Sequence, residues 1–178
     1  MPPFNLYEVH KVTQNWSSII CPAGLPDDIK LDQLPRSSYD GDNPYNGFTG
    51  HERRKMDQVI QVLRRRGIIA KPTECDLCGA NQRIRFHSED YFDPCSLVRI
   101  CFSCHMALHG RFKTASRWLA KLGQGAARPL IDDFRALPMQ EIDFASWLRT
   151  HTPGPHDVVQ AVWPGKAVQD YKPKAKVP

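Results

Sequence analysis

Four of the six cysteines have the residue type and spacing of a zinc site. Cys75-x-x-Cys78 is followed, after 22 residues, by Cys101-x-x-Cys104. A pair with this spacing presents two sulfurs on one tight turn, and two pairs complete a tetrahedral thiolate site for Zn²⁺. A disulfide framework fits poorly without a secretory signal, and a redox pair would need no second copy. We therefore predict one structural zinc ion with four cysteine ligands, and we expect the two remaining cysteines to be free thiols: Cys21 and Cys95.

Histidines beside the second cysteine pair could bind another metal ion. His105 and His109 are four residues apart on a predicted helix, so they share a face with about 5–6 Å between them. His87 ends a predicted strand that could meet this helix. Three imidazoles would form an open site for Mg²⁺, Mn²⁺ or Zn²⁺, where the ion acts as a Lewis acid in phosphoryl transfer. Two simpler interpretations stay open: exposed polar residues on a helix, or a substitute ligand for the zinc ion.

The order of these residues resembles the HNH endonuclease superfamily. The matching segments lie within about residues 75–110 and are Cys75-x-x-Cys78, His87-Ser88-Glu89-Asp90-Tyr91-x-x-Pro94 and Cys101-x-x-Cys104-His105-x-x-x-His109. They are most similar to small phage and prophage members that carry a His-His-Glu-Asp-Tyr loop between two zinc knuckles. The resemblance implies a ββα-metal fold that docks against duplex nucleic acid, and we expect double-stranded DNA as the partner. It also implies that histidines hold one divalent ion and that a further histidine activates the attacking water.

Two positions depart from the family pattern. The Glu-Asp-Tyr register places His87 at a metal-ligand position and Ser88 at the position of the general base. A serine hydroxyl cannot take a proton near pH 7 without its own base, so the usual contribution of about 10²–10⁴-fold depends on a neighbouring carboxylate. If the motif is instead aligned with His87 as the general base, Phe86 falls at the position where a metal ligand should be. The middle position of the motif is Ser96. The candidate catalytic residues are His87, Ser88, Glu89 and Asp90.

Charge is unevenly distributed along the chain. The net charge is +5, but residues 94–131 contain six Lys and Arg and no Asp or Glu. Such a stretch is typical of a surface that faces phosphate, although an ordinary solvated face is the alternative. Arg64, Arg65 and Arg66 end a predicted helix, where they either complement its dipole or contact phosphate, and both interpretations stay open. The residues predicted to contact nucleic acid are Arg83, Arg85, Arg99, Arg111, Lys113 and Arg117.

The rest of the pattern predicts the elements that position these residues. Thr49 and Glu52 form a capping box that opens a helix, and Gly67 ends it. Apolar residues at helical spacing lie between them. The other predicted elements are strands over 83–87 and 97–100, helices over 102–109 and 113–122, and a last helix that Asp143 caps and that buries Phe144, Trp147 and Leu148.

These elements predict an α+β fold, in which a small zinc-bound ββα unit is flanked by helices. Eleven of the 15 prolines lie in residues 1–48 and 151–178. We therefore expect an acidic, irregular N-terminal extension over 1–48, a helical domain over 49–150, and a flexible Pro/Lys-rich tail over 151–178. No apolar run approaches the roughly 18 residues of a membrane span, so we expect a cytoplasmic protein. The resemblance to the HNH superfamily implies that it is bacterial or phage-encoded.

The sequence supports three functional hypotheses. The first is a divalent-metal-dependent DNA endonuclease or nickase of HNH type, weakened by Ser88 at the position of the base. The second is a catalytically inactive, zinc-dependent module that binds nucleic acid mainly through its phosphates. A third hypothesis is an interaction protein that docks on a protein partner through its N-terminal extension or its C-terminal helix.

Overall fold

A computed structural model describes residues 5–29, 34, 35, 37 and 43–162 of the chain. None of the helices in these ranges is long and apolar enough to cross a membrane. In chain order the elements are α1 (Leu6–Ile20), α2 (Gly50–Arg65), β1 (Ile84–His87), β2 (Val98–Cys101), α3 (Phe102–Gly110), α4 (Ala115–Gln124), α5 (Ile131–Ala136), α6 (Phe144–His151) and α7 (Val158–Val162).

The two strands form an antiparallel hairpin that leads directly into a helix. His87 pairs with Val98, and Ile84 pairs with Cys101, so the end of β1 lies beside the start of β2. α3 begins at the next residue, Phe102, whose N–H donates to the carbonyl of Arg83 at 3.1 Å. The predicted α+β class is confirmed, and both strands lie within one residue of their predicted bounds.

The capping box of α2 is confirmed. The Thr49 hydroxyl accepts the backbone N–H of Glu52 at 3.2 Å, and the Glu52 carboxylate accepts the N–H of Thr49 at 2.8 Å. Met56, Val59 and Leu63 recur along the buried face of the helix and are at most 1 % exposed. Asp143 likewise caps α6, because its side chain accepts the N–H of Ser146 at 3.1 Å.

The predicted irregular N-terminal extension is wrong for residues 6–20. They form α1, which Asn5 caps by accepting the N–H of Tyr7 at 3.1 Å. Val9, Val12 and Trp16 are buried and at most 5 % exposed. Their spacing of three and four residues is that of an amphipathic helix, and the prolines of this region lie outside it.

The predicted flexible tail is also wrong at its beginning. α7 lies between Pro155 and Pro164, and three of its valines are at most 1 % exposed. α7 packs against α2, where the ammonium of Lys55 donates to the carboxylate of Asp157 at 2.8 Å. Residues 163–178, which carry the Lys-rich end of the predicted tail, lie outside the described residues.

Cys21 and Cys95 form a disulfide, which corrects the prediction of two free thiols. The Cα atoms are 5.6 Å apart although 74 residues separate them in sequence. Both cysteines are buried in one apolar cluster, together with Met56 and Leu63 of α2. The end of α1 and the loop before β2 meet at this cluster, and the sequence contained no signal for that long-range contact.

Replacing both cysteines, as Cys21→Ala and Cys95→Ala, is expected to lower the free energy of unfolding by about 2–4 kcal/mol, because the unfolded chain is no longer constrained. Urea unfolding followed by tryptophan fluorescence measures the change, with unreduced wild type as the control. Alkylation of the unfolded, unreduced, metal-stripped protein should modify four cysteines. The disulfide would be contradicted by six modified cysteines in the wild type together with an unchanged free energy of unfolding in the double variant.

Candidate metal centre

Two groups of side chains in the described part of the chain could hold a metal ion. The first is Cys75, Cys78, Cys101 and Cys104, whose sulfurs all lie within 4.8 Å of one another. The sulfurs of Cys78 and Cys101 are 3.7 Å apart. Four ligands at the usual Zn–S distance of about 2.3 Å stand about 3.8 Å apart in a tetrahedron. The four cysteines can therefore hold an ion such as zinc.

Backbone hydrogen bonds shape the tight turn that carries Cys75 and Cys78. The N–H of Cys75 donates to the carbonyl of Ala80 at 2.8 Å, and Gly79 returns its N–H to the carbonyl of Cys75 at 2.9 Å. Gly79 has a φ of +77°, a conformation that favours glycine. Hydrogen bonds from the thiol of Cys104 and from backbone N–H groups lower the pKa of Cys75 to about 4. A low pKa favours the thiolate, which is the form that binds metal.

The four sulfurs lie where the hairpin meets the core. Cys101 ends β2, and Cys104 lies in the first turn of α3. Cys75 and Cys104 are fully buried, in a cluster that also contains Leu77 and Trp118. An ion bound here would join the hairpin to α3 and to this core.

The second group is His87, His105 and His109, which the hairpin and α3 bring together. One ring nitrogen from each histidine lies within 4.8 Å of the others. The Nε2 atoms of His105 and His109 are 3.1 Å apart. Two imidazoles bound to one ion at about 2.0–2.1 Å in a tetrahedron have nitrogens about 3.4 Å apart, so the observed separation is close to that of a ligand pair. Nδ1 of His105 is buried and has no hydrogen-bond partner among the described residues.

A buried carboxylate orients His87. Nε2 of His87 is 2.9 Å from Oε1 of Glu89, and the two residues are 3 % and 0 % exposed. Glu89 also accepts hydrogen bonds from Tyr45, Asn46 and Arg111. Burial alone would raise the pKa of Glu89, but the charge of Arg111 and the hydrogen bonds from His87 and Tyr45 lower it to about 2. Glu89 is therefore ionised and fixes the ring of His87.

All three imidazoles are neutral at ordinary pH. Burial is the main cause that lowers the pKa of His87, lowers that of His105 to about 2 and lowers that of His109 to about 3. The neighbouring histidines lower the last two further. Neutral His87 donates its Nε2 proton to Glu89, so the lone pair of Nδ1 remains. Neutral imidazole is the form that binds a metal ion or accepts a proton.

The candidate catalytic residues Ser88 and Asp90 use their polar groups within the loop that follows β1. The hydroxyl of Ser88 donates to the carbonyl of Asp90 at 2.7 Å and accepts the N–H of Asp90 at 3.0 Å. The Asp90 carboxylate accepts the N–H of Phe92 at 2.8 Å. Ser88, Glu89 and Asp90 are each at most 3 % exposed. The polar groups of Ser88 and Asp90 stabilise the loop that follows β1, whereas the carboxylate of Glu89 holds His87. Ser96, at the middle position of the motif, is buried as well.

A cleft of about 1150 Å³ separates α2 from the hairpin. His87, His105 and His109 are among the residues that line it. Apolar side chains of both elements also contribute, among them Met56, Ile60, Ile69, Phe86 and Leu97. The cationic residues of the lining are Arg53, Arg64, Arg65, Lys71, Arg83 and Arg85, whereas Asp57 is the one carboxylate among the described lining residues.

The residues predicted to contact nucleic acid divide into three sets. Arg83 and Arg85 are exposed in the cleft, and both guanidiniums lie over the ring of Phe102. Lys113 and Arg117 are exposed but do not line the cleft. The third set is Arg99 and Arg111, whose guanidiniums pair with carboxylates of the protein itself. The predicted nucleic-acid contact is wrong for Arg111 and needs correction for Arg99.

Arg111 is 1 % exposed, because its guanidinium neutralises Glu89 and donates to the carbonyls of Pro138 and Leu108. It cannot reach a phosphate. Arg99 remains partly exposed, but its guanidinium is paired with Asp76, with the closest N···O distance at 2.7 Å. Both acids precede their arginines by 22 or 23 residues, so the sequence pattern did not reveal the pairs.

Four cationic residues of the cleft were not among the predicted nucleic-acid contacts: Arg53, Arg64, Arg65 and Lys71. Arg64 and Arg65 line it, whereas Arg66 pairs with Asp28 through two hydrogen bonds. Lys71 follows α2 and also lines the cleft, and the sequence did not indicate it as a nucleic-acid contact. Helical spacing could have shown that Arg64 and Arg65 lie off the apolar face of α2. Spacing cannot show which element lies opposite them, because that depends on the tertiary fold.

A search of protein-family models, of curated proteins and of solved structures finds no match to the chain.

The variant Asp90→Asn should change how stability depends on pH. Burial raises the pKa of Asp90 to about 7, from an ordinary value of about 3.9 in the unfolded chain. Between these values the folded state binds the proton more tightly, so the free energy of unfolding of the wild type falls as pH rises from about 4 to 7. Asparagine keeps the acceptor for Phe92 and does not ionise. The variant should exceed the wild type by about 1–4 kcal/mol at pH 8 and lose this advantage towards pH 5.

Urea unfolding of the zinc-loaded proteins at both pH values measures the difference. Asp132→Asn is the matched control, because the side chain of Asp132 is 88 % exposed. A difference between Asp90→Asn and wild type that is the same at pH 5 and pH 8 would contradict an ionisable group buried at this position.

Proposed function

We propose that the protein is a divalent-metal-dependent DNA endonuclease or nickase of HNH type. The observation that carries this proposal is the convergence of His87, His105 and His109 within 4.8 Å in a cleft with six cationic lining residues and one carboxylate. A metal site beside a cationic surface is the combination that phosphodiester hydrolysis requires, because the substrate and the transition state are both anionic.

The local architecture supports the HNH-like assignment. A ββα unit contains a hairpin followed by a helix, and β1, β2 and α3 follow one another in that order. His87 ends the first strand, and His105 and His109 lie one turn apart on α3. The two cysteine pairs lie at the base of the same unit. The order of these elements supports the ββα unit that we propose from the motif resemblance.

The three histidines fit a divalent ion. They are neutral, their nitrogens have the separation of ligands, and the buried Nδ1 of His105 lacks a partner among the described residues. Imidazole suits Zn²⁺ and other first-row transition metals, and a site with three protein ligands keeps a position open. When bound, the ion would act as a Lewis acid that stabilises the negative charge developing on the phosphoryl and leaving oxygens.

His87 has one of two roles in this site. With its Nε2 proton donated to Glu89, it either supplies Nδ1 as the third ligand or accepts a proton from water as the general base. Both roles need the imidazole fixed by a carboxylate. The metal content of His87→Ala distinguishes them, because a ligand variant loses the second ion while a base variant keeps it and loses activity.

Incubation with supercoiled plasmid and Mg²⁺ or Mn²⁺ tests the proposal. Wild type should produce nicked or linear DNA, and His105→Ala and His109→Ala should reduce the rate by at least about 100-fold, the upper end for the loss of an outer-shell partner. His151→Ala, which changes an exposed histidine of α6, is the matched control and should cleave like the wild type. Cleavage that persists in both site variants, or is absent from the wild type, would overturn the nuclease proposal.

The second candidate is a nucleic-acid-binding module without cleavage. Ser88 favours it, because the residue at the position of the base uses its hydroxyl within the loop. Such a module would bind DNA in a gel shift with an affinity that falls steeply with salt, while plasmid remains intact. Failure to shift DNA at low salt would exclude the module.

A further inference from the structure

The cleft combines a cationic rim with an apolar floor. Arg64 and Arg65 of α2 lie on one side, Arg83 and Arg85 of the hairpin lie on the other, and Lys71 lies in the connection between these elements. All five are exposed, and none makes an ion pair with another residue that the structure describes. The carboxylate of Asp57 already accepts hydrogen bonds from Ser37 and Gln61. The rim therefore has a net positive charge available to an anionic chain.

Phe86 is the distinctive residue of the floor. It immediately precedes His87 and is only partly buried. No ring or guanidinium packs on its face within the described ranges, whereas the ring of Tyr91 lies under Arg53 and beside Phe48. Phe86 also packs against the apolar cluster that contains Met56 and Leu97, and its partly exposed ring lines the cleft. An aromatic side chain that lines a cationic cleft can stack on a nucleic-acid base.

This combination distinguishes single strands from a duplex. A duplex turns its phosphates and sugars outward, and its bases are already stacked on one another. It would contact the cationic rim and leave the apolar floor unused. A single strand can place phosphates on the arginines and an unstacked base on the floor, as stacking platforms in charged grooves do. The volume of 1150 Å³ exceeds the roughly 300–1,000 Å³ of drug-sized sites, so it can hold more than one nucleotide.

We propose that the cleft between α2 and the hairpin binds a single-stranded segment of nucleic acid, with a base stacked on Phe86 and phosphates on Arg64, Arg65, Arg83 and Arg85. The segment would lead to the three histidines. This inference rests on the proposed function and narrows its substrate to unpaired regions such as overhangs, flaps or frayed ends.

Fluorescence anisotropy with a labelled 20-nucleotide DNA, single-stranded or as a duplex, tests the inference in the His109→Ala background to avoid cleavage. The single strand should bind more tightly than the duplex. An RNA strand of the same sequence is measured in parallel to identify which single-stranded nucleic acid is preferred. Equal or tighter binding of the duplex would overturn the proposal.

Variants of the rim test the phosphate contacts. Arg64→Ala with Arg65→Ala should make the plot of log K against log salt shallower by about 1.4, because each phosphate contact to a single strand contributes about 0.7. Lys11→Ala with Arg135→Ala removes the same charge from two exposed positions outside the cleft and should leave the slope unchanged. Equal effects of the two pairs would show that the cleft is not the binding surface.

Variants of the floor test stacking separately. Phe86→Leu keeps apolar volume but removes the aromatic face, so affinity for the single strand should fall by about 5-fold to 100-fold. Phe86→Trp should restore it, which a merely structural role of Phe86 would not require. Unchanged affinity in Phe86→Leu would remove Phe86 from the proposal. Single-strand binding without any cleavage by the wild type would refute the nuclease alone, and cleavage without single-strand preference would refute this inference alone.

Discussion

The buried ion pair between Glu89 and Arg111 is the constraint on which the histidine site depends. It joins the loop after β1 to the end of α3, and Tyr45 and Asn46 attach a third segment to the same carboxylate. Burying two charges is costly unless hydrogen bonds satisfy them, and here the carboxylate receives donors from four residues. The same carboxylate holds His87. The ion pair that joins these segments therefore also sets the orientation of the His87 imidazole.

The two groups of candidate ligands differ in their surroundings, and this difference separates their roles. Cys75 and Cys104 are fully buried in the core, where four thiolates would complete the tetrahedral coordination of an ion and leave no position for a substrate. His105 and His109 are only partly buried and line the cleft. An ion held by the cysteines would stabilise the hairpin and α3, whereas the proposed ion at the histidines would be open to a phosphodiester in the cleft. α3 belongs to both sites, because it carries Cys104 as well as the two histidines.

Local patterns predicted much of this arrangement. The capping box of α2, the two strands, the helix after Cys101 and the grouping of both ligand sets could all be inferred from spacing, because each depends on residues close in sequence or on one hairpin. The failures involve partners far away in the chain. Arg111 is neutralised by Glu89, Cys21 meets Cys95, and the rim of the cleft needs α2 opposite β1. α1 is different, because Val9, Val12 and Trp16 have helical spacing that the proline-based interpretation overlooked.

The most direct measurement of the central claim is an anomalous difference map from crystals of the zinc-loaded protein grown with Mn²⁺. Manganese and zinc can be separated by their absorption edges, so each ion is identified at its own site. We expect zinc among the four cysteines and manganese in contact with imidazole nitrogens of His105 and His109, with His87 within reach as ligand or base. Saturating Mn²⁺ with neither a manganese nor a zinc peak between these histidines would contradict a second metal site and the chemistry proposed for it.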